Sequence, residues 1–170
     1  MGAVGSAGYR EDMVFDASAA ALRPRRVVEQ SVVLPFAPSI VWPCFVDPVL
    51  ADGWLAHVLI EQRVGGGYSV VWPTHEPHEA DWFGTIEEIV PLDRLLVTFA
   101  PHTLLEFTLA AHDAVADAAG ESACVVRVRH ESFLTAAEQR AVHAFWRGRL
   151  VDLAQLLRGR PVEWNRSPGG

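Results

Sequence analysis

The chain has 170 residues, of which half are apolar and 21% are charged, so it can build one sizeable core but is short for two. Acidic residues outnumber basic ones, the formal net charge is -7 and lysine is absent, which argues against nucleic-acid binding. No apolar run is long enough to cross a membrane, and Cys44 and Cys124 form no CxxC pair. We therefore expect a single-domain cytoplasmic protein with free thiols.

The first part of the chain predicts a disordered tail followed by one strand and two short helices. Residues 1–24 are rich in Gly and Ala and are expected to form a disordered tail. The valine-rich segment from Arg26 to Leu34 predicts the first strand. Ser39 to Val46 predicts a short helix, which Pro43 should kink or end early because proline lacks a backbone donor. A second short helical turn is predicted after Asp47.

The central part of the chain predicts strands only. Gly65, Gly66 and Gly67 form a hairpin turn signal, since glycine adopts positive φ without strain. In the last strand, alternation places Arg127 and Arg129 on one face and His130 on the other, with Val126 and Val128. The predicted strands are Val58 to Val64, Tyr68 to Trp72, Trp82 to Val90, Arg94 to Ala100, Leu104 to Ala111 and Ala123 to His130.

One long amphipathic helix closes the chain, from Thr135 to Arg158. Thr135 and Glu138 form a capping box, and Gly159 occupies the position of a left-handed cap. Its apolar stripe consists of Val142, Phe145, Trp146, Leu150, Leu153 and Leu157. Residues 161–170 are expected to be a flexible tail. The order of elements predicts an α+β fold in which about six or seven antiparallel strands pack on one C-terminal helix.

Several short motifs follow one another along residues 25–160. They are Pro38 to Trp42, Asp47-Pro48 with Trp54, Gly65 to Tyr68, Gly84 with Ile86, Pro91 to Leu95, Arg129-His130, and Trp146 with Leu150 and Leu153. In their order and spacing these motifs resemble the START-like or SRPBCC superfamily, in the branch homologous to the C-terminal domain of the heat-shock-ATPase activator. The resemblance implies a helix-grip fold, in which a curved sheet wraps the long helix and leaves an apolar cavity between them.

Large rings are the main candidates for lining such a cavity. For any single ring, packing in the core is the alternative, and Trp42, Trp54 and Trp146 are signature residues that we assign mainly to packing. His130 faces the helix side, where it can orient a ligand carbonyl or satisfy a backbone group. The candidate ligand-binding residues are Tyr68, Trp72, Phe99, Phe107, His130 and Trp146.

The chemistry of catalysis and metal binding is weakly represented. A loop carries His75, Glu76, His78, Glu79 and Asp81, but a solvated hairpin loop explains these residues better than a metal site does, and we predict no metal. The two cysteines lack electropositive neighbours, and neither a GxSxG elbow nor a phosphate loop is present. We predict no cofactor and no catalytic residue, which makes an enzyme the less favoured interpretation.

The leading functional hypothesis is therefore binding of a hydrophobic or aromatic small molecule, lipid-like or polyketide-like, with specificity from polar groups among His57, His130, Arg63 and Glu106. Two alternatives remain open. The first is a self-sacrifice resistance protein or an accessory or cyclase protein of polyketide or enediyne biosynthesis, as the resemblance implies. The second is an interaction protein that binds a chaperone ATPase. The sequence predicts no nucleic-acid or membrane partner and leaves open whether the chain forms a homodimer.

Overall fold

The computed structural model of the chain describes residues 23–71, 81–99, 103–112 and 122–159. Several segments lie outside these ranges. They include residues 1–22 of the predicted N-terminal tail, the predicted C-terminal tail, and most of the loops around positions 75 and 117. The described strands are β1 (Arg25–Leu34), β2 (His57–Ile60), β3 (Gly67–Val71), β4 (Trp82–Val90), β5 (Arg94–Phe99), β6 (Thr103–His112) and β7 (Ala123–Phe133).

Three short helices follow β1: α1 (Pro38–Val41), α2 (Pro43–Val46) and α3 (Pro48–Asp52). Each begins with proline, which fits the first helical turn because its missing N–H has no acceptor there. The first of these helices ends at Val41, just before Pro43, as the early end predicted from the sequence requires, and Pro43 begins a separate helix. The Asp47 carboxylate caps α3 by accepting from the backbone N–H of Val49 at 2.8 Å.

All seven strands form one antiparallel curved sheet in the order β1-β7-β6-β5-β4-β3-β2. The second strand is shorter than predicted. It ends at Ile60, because Gly65 adopts φ +75° and the backbone around Gly66 is tightly packed, so residues 61–66 form the turn. A Cβ on Gly66 would lie 2.2 Å from the carbonyl oxygen of Glu61, which explains glycine at that position.

The long helix α4 (Ala136–Leu157) packs on the inner face of this sheet. Its predicted capping box is present: the Thr135 hydroxyl accepts from the N–H of Glu138 at 3.2 Å, and the Thr135 N–H donates to the Glu138 carboxylate at 2.7 Å. Gly159 follows with φ +68°. Trp146, Leu150 and Leu153 are buried against the sheet, which confirms the helix-grip architecture. None of the described helices is both long and apolar enough for a membrane span.

The strand register places inner-face side chains in rows that cross the sheet. Side chains in one row lie directly opposite one another on neighbouring strands, so they are close enough to interact. The row nearest the start of β4 and the end of β5 consists of Tyr68, Gly84, Phe99, Thr103, Ser132 and Arg26. The adjacent row consists of Ile86, Val97, Leu105, His130 and Val28. His130 is the polar member of an otherwise apolar row.

Candidate functional site

Four buried rings from the short helices and the turn after them, the sheet and α4 pack against one another: Phe45, Trp54, Phe107 and Trp146. The ring centroids of Phe45 and Phe107 are 4.9 Å apart, and those of Phe107 and Trp146 are 5.8 Å apart. Trp54 contacts both Phe45 and Phe107, and its indole N–H donates to the carbonyl of Cys44 at 2.8 Å. All four rings are fully buried. Phe107 and Trp146, two of the predicted ligand-binding residues, therefore pack against other rings on several sides.

A second group of rings lies between the sheet and the N-terminal half of α4; we call it the Trp82 cluster and define it as Trp82, Phe99, His130 and Phe145. The centroid of Trp82 is 5.5 Å from Phe99, 5.9 Å from His130 and 6.4 Å from Phe145. Phe99 and His130 are buried, whereas Trp82 and Phe145 are partly exposed. The Trp82 cluster thus reaches from the interior to the surface.

Trp146 orients the imidazole of His130. The indole N–H of Trp146 donates to Nδ1 of His130 at 3.0 Å. Since an indole can only donate, Nδ1 must accept, and the proton of the neutral ring is on Nε2. Burial lowers the pKa of His130 from 6.5 to about 4, so the ring is neutral near pH 7. A protonated ring would carry a hydrogen on Nδ1 and could not accept from Trp146.

Polar groups border the Trp82 cluster on the side of β6 and β7. The hydroxyls of Thr103 and Ser132 are 2.9 Å apart, and Thr103 is the register partner of Phe99. Next in the row, the guanidinium of Arg26 donates to the carbonyl of Leu134 at 2.9 Å and to the side chain of Gln139 at 3.0 Å. The site therefore combines an aromatic wall with a hydroxyl-bearing wall.

Tyr68 lies beside this site. Its ring centroid is 6.3 Å from that of Phe99, and its hydroxyl is 3.5 Å from the carbonyl oxygen of Phe45, a long contact for a hydrogen bond. Burial raises the pKa of Tyr68 well above its usual value. Tyr68 is thus a neutral, fully buried side chain.

Five of the six predicted ligand-binding residues face the interface between the sheet and α4, as the alternation of the strands and the helix stripe predict: Tyr68, Phe99, Phe107 and His130 on the sheet and Trp146 on the helix. The sixth, Trp72, lies outside the described residues. The sequence-based selection omitted Trp82 and Phe145. Strand alternation places Trp82 on the face of Gly84 and Ile86, and Phe145 belongs to the apolar stripe of α4, so both signals were present.

Three of the four predicted specificity groups do not face the interior. His57 is exposed on the edge strand β2. Arg63 is exposed and pairs with Glu61 at 2.6 Å, because it belongs to the turn rather than to β2. Glu106 alternates with the inward-facing Leu105 and Phe107, so it lies on the outer face, 2.7 Å from Arg94. His130 alone among the four reaches the inner face.

The outer face carries a depression of about 480 Å³ at the same end of the sheet. Its most exposed ring is Phe83, of which 66% is accessible. Phe83, Thr85 and Thr98 point away from α4, since their neighbours in sequence point toward it. The depression is lined by Arg25, Phe83, Gly84, Thr85, Thr98, Phe99, Thr103, Leu104 and Phe133.

The thiols and potential metal ligands offer little reactivity in the described residues. Cys44 and Cys124 are free and buried. Burial and the nearby Asp47 carboxylate raise the pKa of Cys44 to about 11, and burial raises the pKa of Cys124. Over the described ranges no three His, Cys, Asp or Glu side chains converge as metal ligands would. The predicted loop cluster at His75, Glu76, His78 and Glu79 lies outside them.

Comparisons with known proteins agree with this architecture. The family model described as "Activator of Hsp90 ATPase homolog 1-like protein" matches residues 35–158. A search of curated proteins found no match.

Solved structures with the same fold include DynU16, a protein in the dynemicin biosynthetic locus, at 21% identity and TM-score 0.63 over 81% of this chain and 49% of that one. This chain thus spans about half of DynU16. CalU16 from Micromonospora echinospora is 15% identical, with TM-score 0.60 over 79% of this chain and 85% of that one. An AHSA1-like protein from Rhizobium etli is 23% identical, with TM-score 0.61 and coverage of 86% and 91%.

Proposed function

This chain belongs to the family of proteins similar to the activator of Hsp90 ATPase, and on that premise we propose that it binds a hydrophobic or aromatic small molecule between the sheet and α4. The observation that carries the proposal is the Trp82 cluster, in which buried and partly exposed rings form one continuous group. Rings that reach the surface lose contact with water when a ligand covers them. This burial favours binding by about 25 cal/mol per Å² of apolar surface.

The arrangement of the rings favours a flat ligand. Trp82 meets Phe99 and His130 at interplanar angles of 61° and 87°, so the edges and faces of several rings converge from different directions. An aromatic guest can make edge-to-face contacts with rings that present both edges and faces. The neighbouring Thr103 and Ser132 hydroxyls supply polar contacts for substituents of the guest.

A thermal-shift screen tests the proposal. The panel contains fatty acids, sterols and polycyclic aromatic compounds, with polar sugars of similar mass as controls. A ligand present at a hundred times its Kd should raise the free energy of unfolding by about 2.7 kcal/mol, and the melting temperature accordingly. The proposal predicts such a rise for apolar compounds and none for sugars. Unchanged melting temperatures across the panel would refute it.

Two phenylalanine variants test where the ligand binds. Phe145→Ala removes a ring of the Trp82 cluster, and Phe83→Ala removes an exposed ring of the outer depression. The chemical change is the same, so the pair is a matched control. The proposal predicts weaker binding in Phe145→Ala and unchanged affinity in Phe83→Ala; the reverse pattern would assign the ligand to the outer face.

The likeness to DynU16 supports a second candidate function for this chain, which is self-protection or an accessory role in enediyne or polyketide biosynthesis. DynU16 is described as a protein in the dynemicin biosynthetic locus, and its likeness to this chain extends over 81% of the present sequence. A self-sacrificing protein would be cleaved by an activated enediyne. Mass spectrometry of the chain after incubation with such a compound should then show specific backbone fragments, whereas an intact mass would leave passive binding as the role.

A further inference from the structure

One nitrogen of the His130 imidazole accepts a hydrogen bond, and the other carries a hydrogen that can be donated. Nδ1 accepts from Trp146, and the two ring nitrogens point to different sides of the ring, so the Nε2–H points away from Trp146. No acceptor for Nε2 is found among the described residues. Nε2 of His130 is not among the side-chain atoms of the described residues that are both fully buried and without a hydrogen-bond partner, so it is not completely sealed in the interior.

The surroundings of His130 determine what this donor can recognise. Its row neighbours Val28 and Leu105 are apolar, and among the described residues the rings that contact it are Trp82 and Trp146. No carboxylate belongs to either inner-face row, so none competes there for the Nε2–H. A donor placed among rings matches a ligand that is apolar except for one oxygen acceptor.

We propose that His130 determines the ligand class, its Nε2–H donating a hydrogen bond to the carbonyl oxygen of a flat aromatic ketone or quinone. The inference rests on the proposed binding function and adds to it the chemistry of the ligand. A hydrocarbon ligand has no acceptor for the Nε2–H of His130. A carboxylate ligand has one, but it must bury a full negative charge to reach it. Arg26 is the cation in these rows that could offset such a charge. Its guanidinium already donates to Leu134 and Gln139, and it lies on β1, two strands away from Thr103 on β6.

Three probes of one ring system test this assignment: 9-fluorenone, fluorene and fluorene-9-carboxylate, each titrated calorimetrically into the whole chain. We expect fluorenone to bind about threefold to tenfold more tightly than fluorene, the range that one hydrogen bond supplies. We also expect the infrared carbonyl stretch of bound fluorenone to move to lower frequency. Equal affinities for fluorenone and fluorene, or tighter binding of the carboxylate, would overturn the assignment.

Two variants separate hydrogen bonding from a merely structural role. His130→Leu should abolish the preference for fluorenone and the infrared shift, whereas His130→Gln, which keeps an N–H donor and an acceptor for Trp146, should retain part of both. If His130→Leu fails to fold, the test uses the carbonyl stretch of fluorenone bound to the wild type and to His130→Gln. An unshifted carbonyl stretch in the wild type would overturn the assignment. Failure of all three probes to bind would instead contradict the proposed binding function itself.

Discussion

The ring of Phe99 lies directly over Gly84, its register partner on β4. A Cβ built on Gly84 would come within 2.6 Å of Phe99 Cδ1 and 2.8 Å of the Thr98 carbonyl oxygen, so this position has no space for any side chain. The missing side chain on β4 therefore allows Phe99 to lie flat against the sheet and to contact Trp82. A single glycine thus shapes the aromatic wall of the candidate site.

Gly84→Ala should consequently displace the Phe99 ring. We expect a loss of about 1–3 kcal/mol in the free energy of unfolding, typical of overpacking, together with weaker binding of apolar ligands. Denaturant unfolding measures the first effect and calorimetry the second. Gly67→Ala is the matched control, since a Cβ there meets nothing within 4 Å and its φ is not positive. Equal stability of the two variants would contradict the role given to Gly84.

The buried imidazole of His130 predicts a pH dependence of stability. Its folded-state pKa of about 4 lies below the ordinary value of 6.5, so between these pH values the unfolded chain binds more protons than the folded one. The free energy of unfolding should therefore fall as the pH drops from 6.5 to 4, by about 3 kcal/mol for this group. Its contribution becomes constant about one pH unit above 6.5, where the histidine is neutral in both states.

His130→Gln isolates that contribution, because it removes the titrating group and keeps polar atoms for Trp146. Urea unfolding of both proteins between pH 4 and 8 should show the wild type losing more stability on acidification than the variant. Parallel curves would mean that His130 does not titrate with a lowered pKa.

Gly148 occupies an exposed position in the middle of α4 with nothing near its absent Cβ. Glycine costs about 1 kcal/mol relative to alanine inside a helix because it loses more backbone entropy on folding. Gly148→Ala should therefore stabilise the protein by about that amount. The exposed Ala144 of the same helix provides the converse substitution, Ala144→Gly, which should destabilise by a similar amount. Thermal unfolding of both variants checks the pair.

The two thiols should be unreactive in the native protein. Cys44 and Cys124 are at most 1% exposed, and burial raises the pKa of both, which reduces the thiolate that reacts. With a thiol-specific disulfide reagent at pH 8, we expect slow modification of the native protein and rapid modification of both thiols in urea. Native modification as fast as that of glutathione would contradict the described burial.

The sequence predicted the architecture well because its strongest signals are periodic. The alternation around Val126, Val128 and His130 and the stripe of α4 both identified inward-facing residues correctly. The contacts among those residues also depend on turn geometry, which sets the register together with the hydrophobic pattern. The β-bulge between Ile86 and Glu88, for example, changes which side chains oppose one another along β4 and β5.

The details of the site depended on three-dimensional partners that sequence spacing does not reveal. The bond from Trp146 to His130 joins a helix to a strand, and nothing in either motif predicts it. Conversely, the sequence predicts a second strand that extends to Val64, and Arg63 is one of the polar groups from which it predicts specificity. The close packing around Gly66 ends that strand at Ile60, so Arg63 lies in an exposed turn.

The most direct test of the central claim is an isotope-filtered NOE spectrum of the labelled protein with bound fluorenone, which reports protons within about 5 Å of the ligand. The account predicts NOEs from fluorenone to the rings of Trp82, Phe99 and Phe145 and to the imidazole of His130. NOEs to Phe83 and Leu104 in their place would assign the ligand to the outer depression and contradict a binding site between the sheet and α4.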